Sequence, residues 1–148
     1  MKKITLKILF ASFLFISSSS YGAMLQSMTK DQMERAFINK TCVSVPIDNL
    51  NGQTIHNTFS IYVDNQGTIT GKMSLKPKDE PQTDKGAYTI GNDGIMYITW
   101  QHWDSGKQLS AVFFETVNAY IGIDSDNIFH TVFMKEDIQS GNQLESVY

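Results

Sequence analysis

The sequence is poor in cysteine, proline and positive charge. It contains one cysteine and three prolines, and its 12 basic side chains are outnumbered by 15 acidic ones, which gives a net charge of −3 at pH 7. A single cysteine excludes an internal disulfide framework and a zinc cluster made of cysteines. The acidic balance excludes the basic face that nucleic-acid binding requires. What remains is a chain of 148 residues with nine Phe, six Tyr and two Trp, enough apolar surface for the core of one domain.

The first 23 residues have the layout of a secretory signal peptide. Three lysines precede a nine-residue apolar run, ILFASFLFI, and the small-residue segment SSSSYGA follows it. This order is typical of export, and the apolar run is too short to cross a bilayer as a helix. We therefore expect a signal peptide over 1–23 and a single mature domain over 24–148 that ends in a short polar C-terminal tail. The mature protein is predicted to be periplasmic or secreted.

Removal of this segment makes the mature domain more acidic. It loses three lysines and keeps nine basic side chains against 15 acidic ones, a net charge of −6. Such a domain repels phosphate backbones and anionic lipid surfaces, so we expect neither a nucleic-acid partner nor membrane insertion. Cys42 lies between Thr41 and Val43 in a strand-like segment, and free cysteines are among the most buried residues. Cys42 is therefore predicted to be buried.

A single helix is predicted near the start of the mature chain, over Thr29–Ile38. Thr29 and Gln32 have the spacing of a capping box, in which each side chain binds a free backbone N–H at the start of the helix. Within the helix, apolar residues recur at intervals of three and four, forming the short stripe Met33, Ala36 and Phe37. A helix of about three turns is not stable alone, so the stripe should pack on a larger element.

From Thr41 onward the hydrophobic period is two, and turns rich in Asp, Asn and Gly recur every eight to twelve residues. Such short turns join antiparallel neighbours. The predicted strands are Thr41–Val45, Asn57–Val63, Thr68–Ser74, Gly86–Ile90, Ile95–Trp103, Lys107–Thr116, Ala119–Ile123 and Ile128–Lys135. We expect a mainly β fold, an eight-stranded antiparallel meander closed into a barrel, with a two-sheet sandwich as the alternative. Two strands, Lys107–Thr116 and Ile128–Lys135, are apolar on both faces, and the helix is expected to cover them from outside.

The segment with the most chemical functionality is WQHWD, which ends the fifth predicted strand. On a strand, Trp100, His102 and Asp104 would share one face, where an imidazole and a carboxylate could act as acid and base or bind a metal. The simpler interpretation is an aromatic rim of a barrel with a solvated histidine. We take Trp100, His102, Trp103 and Asp104 as ligand-binding candidates. We predict no catalytic residue, no metal site and no cofactor, because no local spacing supports them.

Four turn and strand segments between about residues 37 and 103 form a common pattern, namely Asn39-Lys40-Thr41, Asp64-Asn65-Gln66-Gly67-Thr68 with Gly71, Gly86-Ala87-Tyr88-Thr89-Ile90 and Asp93-Gly94-Ile95-Met96-Tyr97-Ile98-Thr99-Trp100. This pattern resembles the skeleton of small exported calycin-like bacterial proteins, which have a lipocalin-like barrel. It implies a barrel fold and transfers no functional residue. The chain is also similar to exported virulence-associated proteins of Gram-negative bacteria, which implies the same export.

Three classes of function follow from these features. The first is a non-enzymatic binding module that engages a small apolar ligand or a protein partner through the barrel mouth. The second is an inhibitor of a secreted hydrolase, such as lysozyme or a protease, which would insert the loop Lys76–Asp84 into a cleft. The third is a small enzyme centred on His102 and Asp104. Because no catalytic motif is present, the first class is preferred.

Overall fold

The computed structural model describes residues 26–45, 58–74, 80–124 and 130–146. The predicted signal peptide, the loop 48–56 with His56, the side chain of His130 and the turn that follows Asp124 lie outside the described residues. The described elements are a helix, nine strands and two short 3₁₀ turns. In chain order they are α1 (Lys30–Phe37), β1 (Lys40–Val43), β2 (Thr58–Val63), β3 (Thr68–Ser74), β4 (Gln82–Ile90), β5 (Ile95–Trp100), a 3₁₀ turn (Trp103–Gly106), β6 (Gln108–Glu115), β7 (Ala119–Asp124), β8 (His130–Met134), a second 3₁₀ turn (Lys135–Asp137) and β9 (Gln139–Ser140).

The strands form one antiparallel sheet in the order β8-β7-β6-β5-β4-β3-β2-β1-β9. Each strand from β1 to β7 pairs with the next one in the chain, as a meander requires, and β9 pairs with β1. The sheet curls, because Ser44, just beyond β1, forms a bridge with Phe133 of β8, and the Val45 N–H donates to the Val132 carbonyl at 2.9 Å. The mainly β, barrel-like fold with one short helix is thus confirmed, and the described residues form one sheet instead of the two of a sandwich.

Alternation places one set of side chains inside the curled sheet. Along β2 and β3 the inward positions are Ile61, Val63 and Ile69, all of them buried. The neighbouring strand β4 turns Asp84, Gly86 and Tyr88 inward and leaves the residues between them exposed, as its burial pattern shows. On β2 to β4 the inward face is therefore apolar apart from the carboxylate of Asp84.

The helix begins as its sequence predicts. Gln32 N–H donates to the Thr29 hydroxyl at 3.4 Å, and Thr29 N–H donates to Gln32 Oε1 at 2.8 Å, which completes the capping box. Its buried residues are Met33, Ala36 and Phe37, the predicted stripe. Among the described residues, no helix has the length and hydropathy needed to cross a membrane.

The position of this helix corrects one prediction. Phe37 is fully buried, and its ring centroid lies 4.8 Å from that of Phe113, 5.2 Å from Tyr120 and 6.1 Å from Phe133. Phe113 and Phe133 point into the sheet, where they line an interior cavity. The helix therefore closes one end of the interior and does not cover the outer faces of these strands, because Phe37 packs among these aromatic rings.

Two strand boundaries also differ from the prediction. β4 begins at Gln82, so the last three residues of the expected loop Lys76–Asp84 belong to a strand, and Asp84 is buried. β5 ends at Trp100, so His102 and Asp104 lie in the connection to β6 and do not continue a strand face. A ninth strand, β9, pairs with β1 in the segment where the sequence indicated only a polar tail.

Candidate functional site

The curled sheet encloses a cavity of about 390 Å³. Its wall is built by the inward side chains of six strands and by the connection that follows β5. The lining residues are Phe59, Ile61, Ile69, Met73, Met96, Ile98, Trp100, Trp103, Asp104, Leu109, Ala111, Phe113, Gly122, Asp124, Thr131 and Phe133. Most of these side chains are aliphatic or aromatic, and the polar ones are two carboxylates and one hydroxyl.

The polar lining residues of the cavity lie at the end opposite the helix, which we call its mouth. In this antiparallel meander β5 and β7 end, and β6 and β8 begin, at the same end of the sheet. The polar lining residues Asp104, Asp124 and Thr131 belong to this end, because they follow β5, end β7 and stand near the start of β8. Phe37 fills the other end against Phe113. The cavity is therefore apolar at its base and polar at its mouth.

A tryptophan from the β5–β6 connection folds back over the mouth. The Trp103 ring lies 4.9 Å from Trp100 and 6.3 Å from Phe59, measured between ring centroids. It sits directly above Gly71 of β3, where a Cβ atom would lie 2.8 Å from Trp100 Cη2 and closer still to Trp103 Cζ3. A side chain at this position would overlap the indole rings unless they moved.

Asp84 holds this connection in place from inside the sheet. Its side chain is 1% exposed, and its carboxylate accepts hydrogen bonds from the backbone N–H groups of His102, Trp103 and Lys85, each at 2.8 Å. The His102 ring contributes a fourth, from Nδ1 to Asp84 Oδ1 at 2.9 Å. Since an ionised carboxylate only accepts, Nδ1 carries the proton in this pair. One buried charge thus fixes the first residues after β5.

These hydrogen bonds determine the pKa of Asp84. Burial alone would raise the pKa of this carboxyl, because it disfavours the charged form. The Trp103 N–H, the His102 ring, the His102 N–H and the Lys85 N–H together outweigh burial and lower the pKa of Asp84 from 3.8 to about 2. Asp84 is therefore a charged structural anchor at neutral pH.

The connection continues through an unusual backbone. Asp104, Ser105 and Gly106 all have positive φ angles, of 53°, 56° and 70°. Positive φ is uncommon for residues with a side chain, although Asp and Asn tolerate it better than most. These three residues reverse the chain before β6. Asp104, the first of them, is exposed and lies at the edge of the cavity.

The predicted site residues separate into two groups. Trp100, Trp103 and Asp104 line the cavity, whereas His102 does not and its side chain is 81% exposed. His102 and Asp104 do not share a strand face as expected, because β5 ends at Trp100, and the His102 ring is hydrogen-bonded to Asp84.

Three polar residues of the site escaped the sequence analysis: Asp84, Asp124 and Thr131. Asp84 alternates with Gly86 and Tyr88, so the period of two could have placed it inward. We assigned it to a loop because the residues beside it are polar.

Neither the cysteine nor a cluster of metal-binding side chains adds a reactive group to this cavity in the part of the chain that the structure describes. Cys42 is fully buried, as predicted, and burial raises the pKa of its thiol to about 12, with a small opposing effect of Lys40. Within the part of the chain that the structure describes, no three His, Cys, Asp or Glu side chains come close enough to hold a metal ion.

Comparison with known proteins identifies no family and no relative for this chain. No family model matches the chain, and neither curated proteins nor solved structures give a match. The resemblance to small exported calycin-like proteins therefore stays a prediction.

Proposed function

We propose that this chain is a non-enzymatic binding protein that holds one small, largely apolar molecule inside its curled sheet. The observation that carries the proposal is the apolar cavity of about 390 Å³, closed at one end by Phe37 and lined at the other by Trp103 and Asp104. Small-molecule sites have volumes of roughly 300–1,000 Å³ and combine apolar walls with a few polar groups. The interior of a small barrel is often filled by its own side chains, so an unfilled interior favours a ligand.

The arrangement of His102 supports binding over catalysis. Its ring is used in the anchor with Asp84 and does not line the cavity, so the imidazole does not face a bound molecule. Asp84 itself accepts three hydrogen bonds from His102 and Trp103, which fix the connection beside the cavity. The segment with the most chemical functionality thus forms the wall of a binding site. If the predicted signal peptide acts, this site operates in the periplasm or outside the cell.

A neutral fluorescent probe tests the proposal. We expect N-phenyl-1-naphthylamine to bind with 1:1 stoichiometry and to change the intrinsic emission, because both tryptophans of the chain line the cavity. Ala111→Phe places a ring in the cavity and should abolish binding, with the thermal melt showing that the variant still folds. Ala87→Phe is the matched control, because Ala87 lies on the exposed side of β4.

Absence of saturable probe binding to the unmodified protein would overturn the proposal. Equal binding by the Ala111→Phe and Ala87→Phe variants would do the same, because the probe would then occupy a surface outside the cavity.

A further inference from the structure

The apolar lining of the cavity is not equally accessible along its depth. At the base, Ile69 and Met96 have no exposed surface, and Phe133 and Phe113 are only 1% and 4% exposed. These side chains belong to one packed hydrophobic cluster, and the Phe37 ring of the helix lies against the two phenylalanines. A ligand could reach them only by displacing them, because packed cores leave little free space. The base of the cavity is therefore filled by the protein itself.

The accessible part of the apolar lining lies nearer the mouth. It consists of side chains that line the cavity and keep part of their surface exposed, namely Phe59, Met73, Ile98, Trp103, Leu109 and Ala111. Three of these, Phe59, Met73 and Leu109, stand one residue from the ends of β2, β3 and β6 that meet at the mouth. A ligand bound in this half is short and compact, because a long chain would need the depth that the base occupies.

Trp103 presents an aromatic surface that is already held in position. Its ring lies against Trp100 and Phe59 and covers Gly71. Its backbone N–H donates to the Asp84 carboxylate at 2.8 Å. Because the ring is ordered before a ligand arrives, a molecule that lies against it loses little free energy to the ordering of side chains. Aromatic rings attract one another beyond the effect of their apolar area, and a saturated ring or chain lacks this gain.

We infer that the ligand is a compact aromatic molecule of fused rings, bound against Trp103 in the half of the cavity nearest the mouth. This inference rests on the proposed function and names its ligand class. Two separate observations favour it: the filled base disfavours a long chain, and the ordered indole favours a flat aromatic ring over a saturated one. The aliphatic side chains of Ile98, Leu109 and Ala111 complete the apolar surroundings of such a molecule.

Three alcohols with ten carbons and one hydroxyl test the inference. They are 2-naphthol, which is aromatic, decahydro-2-naphthol, which has the same fused skeleton without aromatic faces, and 1-decanol, which is a linear chain. Isothermal titration calorimetry at pH 7 should show that 2-naphthol binds about threefold to tenfold more tightly than decahydro-2-naphthol. Decanol should bind no more tightly than decahydro-2-naphthol, because the chain does not fit the depth and loses more torsional freedom.

Substitution of Trp103 tests where the ligand lies. Trp103→Leu and Trp103→Phe both replace the indole by a smaller apolar side chain, but only phenylalanine keeps an aromatic face. The preference for 2-naphthol over decahydro-2-naphthol should fall below about twofold in Trp103→Leu and stay above it in Trp103→Phe. Phe114→Leu is the matched control, because Phe114 belongs to β6 and is not among the residues that line the cavity. It should leave the preference unchanged, and thermal melts check that each variant is folded.

The outcomes separate the inference from the proposed function. If either saturated alcohol binds at least as tightly as 2-naphthol, the aromatic ligand class is wrong and the binding function stands. If neither N-phenyl-1-naphthylamine nor any of the three alcohols binds, the binding function itself fails. If Trp103→Leu keeps the full preference for 2-naphthol, the position against Trp103 is wrong. The comparison of the alcohols uses the unmodified protein, so it decides the ligand class whether or not the Trp103 variants fold.

Discussion

Asp84 accepts four hydrogen bonds although its side chain is 1% exposed. A buried carboxylate is stable only when such donors replace water, and each donor in turn depends on the charge. Because two of the donors are the N–H groups of His102 and Trp103, the charge of Asp84 fixes the backbone that carries Trp103 at the mouth of the cavity. The residue acts through the backbone of others and not by contact with a ligand.

The charge of Asp84 makes folding stability depend on pH. Its pKa is about 2 in the folded protein against an ordinary 3.8, so its contribution is complete above pH 3.8 and is lost as the pH falls through about 2. The size of this contribution is about 2 kcal/mol. Urea denaturation between pH 6 and pH 2 should show wild type losing about 2 kcal/mol more than Asp84→Asn, which lacks the titrating group.

The comparison with Asp84→Asn is needed because Asp64 also has a lowered pKa: three backbone N–H groups and the Thr68 hydroxyl outweigh the opposing effect of desolvation. Asp64 titrates in both proteins, so its effect cancels. If the free energies of unfolding of wild type and Asp84→Asn changed with pH in parallel, the charge of Asp84 would not stabilise the fold.

Cys42 should be inert in the folded protein. Its side chain is fully buried in β1, and burial raises the pKa of its thiol to about 12, so the reactive thiolate is absent at pH 8. We expect dithiobis(nitrobenzoate) to label no thiol in the native protein at pH 8 and one thiol per chain in 6 M guanidinium chloride. Rapid labelling under native conditions would contradict the burial of β1 in this sheet.

At the scale of elements, the connection between β5 and β6 is held from two sides. Asp84 of β4 binds its backbone, and Gly71 of β3 leaves room for its indole. The two residues are directly paired across β3 and β4, so one position in the register of the sheet secures both contacts. The mouth is thus a product of strand register, which local sequence does not specify.

Gly71→Ala should displace the Trp103 ring. The added Cβ would meet Trp103 Cζ3 and Trp100 Cη2, and overpacking of this kind costs about 1–3 kcal/mol. Tryptophan emission should shift to longer wavelength as Trp103 becomes solvated. In a Trp103→Ala background the same substitution should lower the free energy of unfolding by less than half as much, as measured by urea denaturation in a double-mutant cycle. Equal costs in the two backgrounds would place the indole elsewhere.

At the scale of the whole molecule, those parts of the fold were predictable that have a local signal in the sequence. Turn residues and alternation gave the order of β1 to β8 and the antiparallel meander, and Thr29 with Gln32 gave the start of the helix. The interior position of the helix was missed, because an apolar stripe shows that a helix packs but not on which side of a sheet. The pairing of His102 with Asp84 was missed for a similar reason, since it joins residues 18 apart through strand register.

β9 is the clearest case of a feature without a local signal. It has two residues, Gln139 and Ser140, both exposed and polar, and it pairs with β1 from the other end of the chain. The Thr41 hydroxyl donates to the Gly141 carbonyl at 2.7 Å and accepts from Gln143 N–H at 2.9 Å. These contacts span about 100 residues of sequence, so no pattern within the segment itself predicts them.

The C-terminal segment should accordingly contribute to the stability of the whole molecule. Leu144 is 4% exposed, and its carbonyl accepts from Lys72 Nζ at 2.8 Å, so the segment fastens β1 and β3 together. A chain that ends after Ile138 loses one buried leucine and the hydrogen bonds of Thr41. Its free energy of unfolding, measured by urea denaturation, should be about 3 kcal/mol lower than that of the full-length protein. A chain that ends after Ser146 keeps all of these contacts and should match the full-length protein. If both truncated chains were as stable as the full-length protein, β9 and Leu144 would be dispensable, and the sheet would depend on β1 to β8 alone.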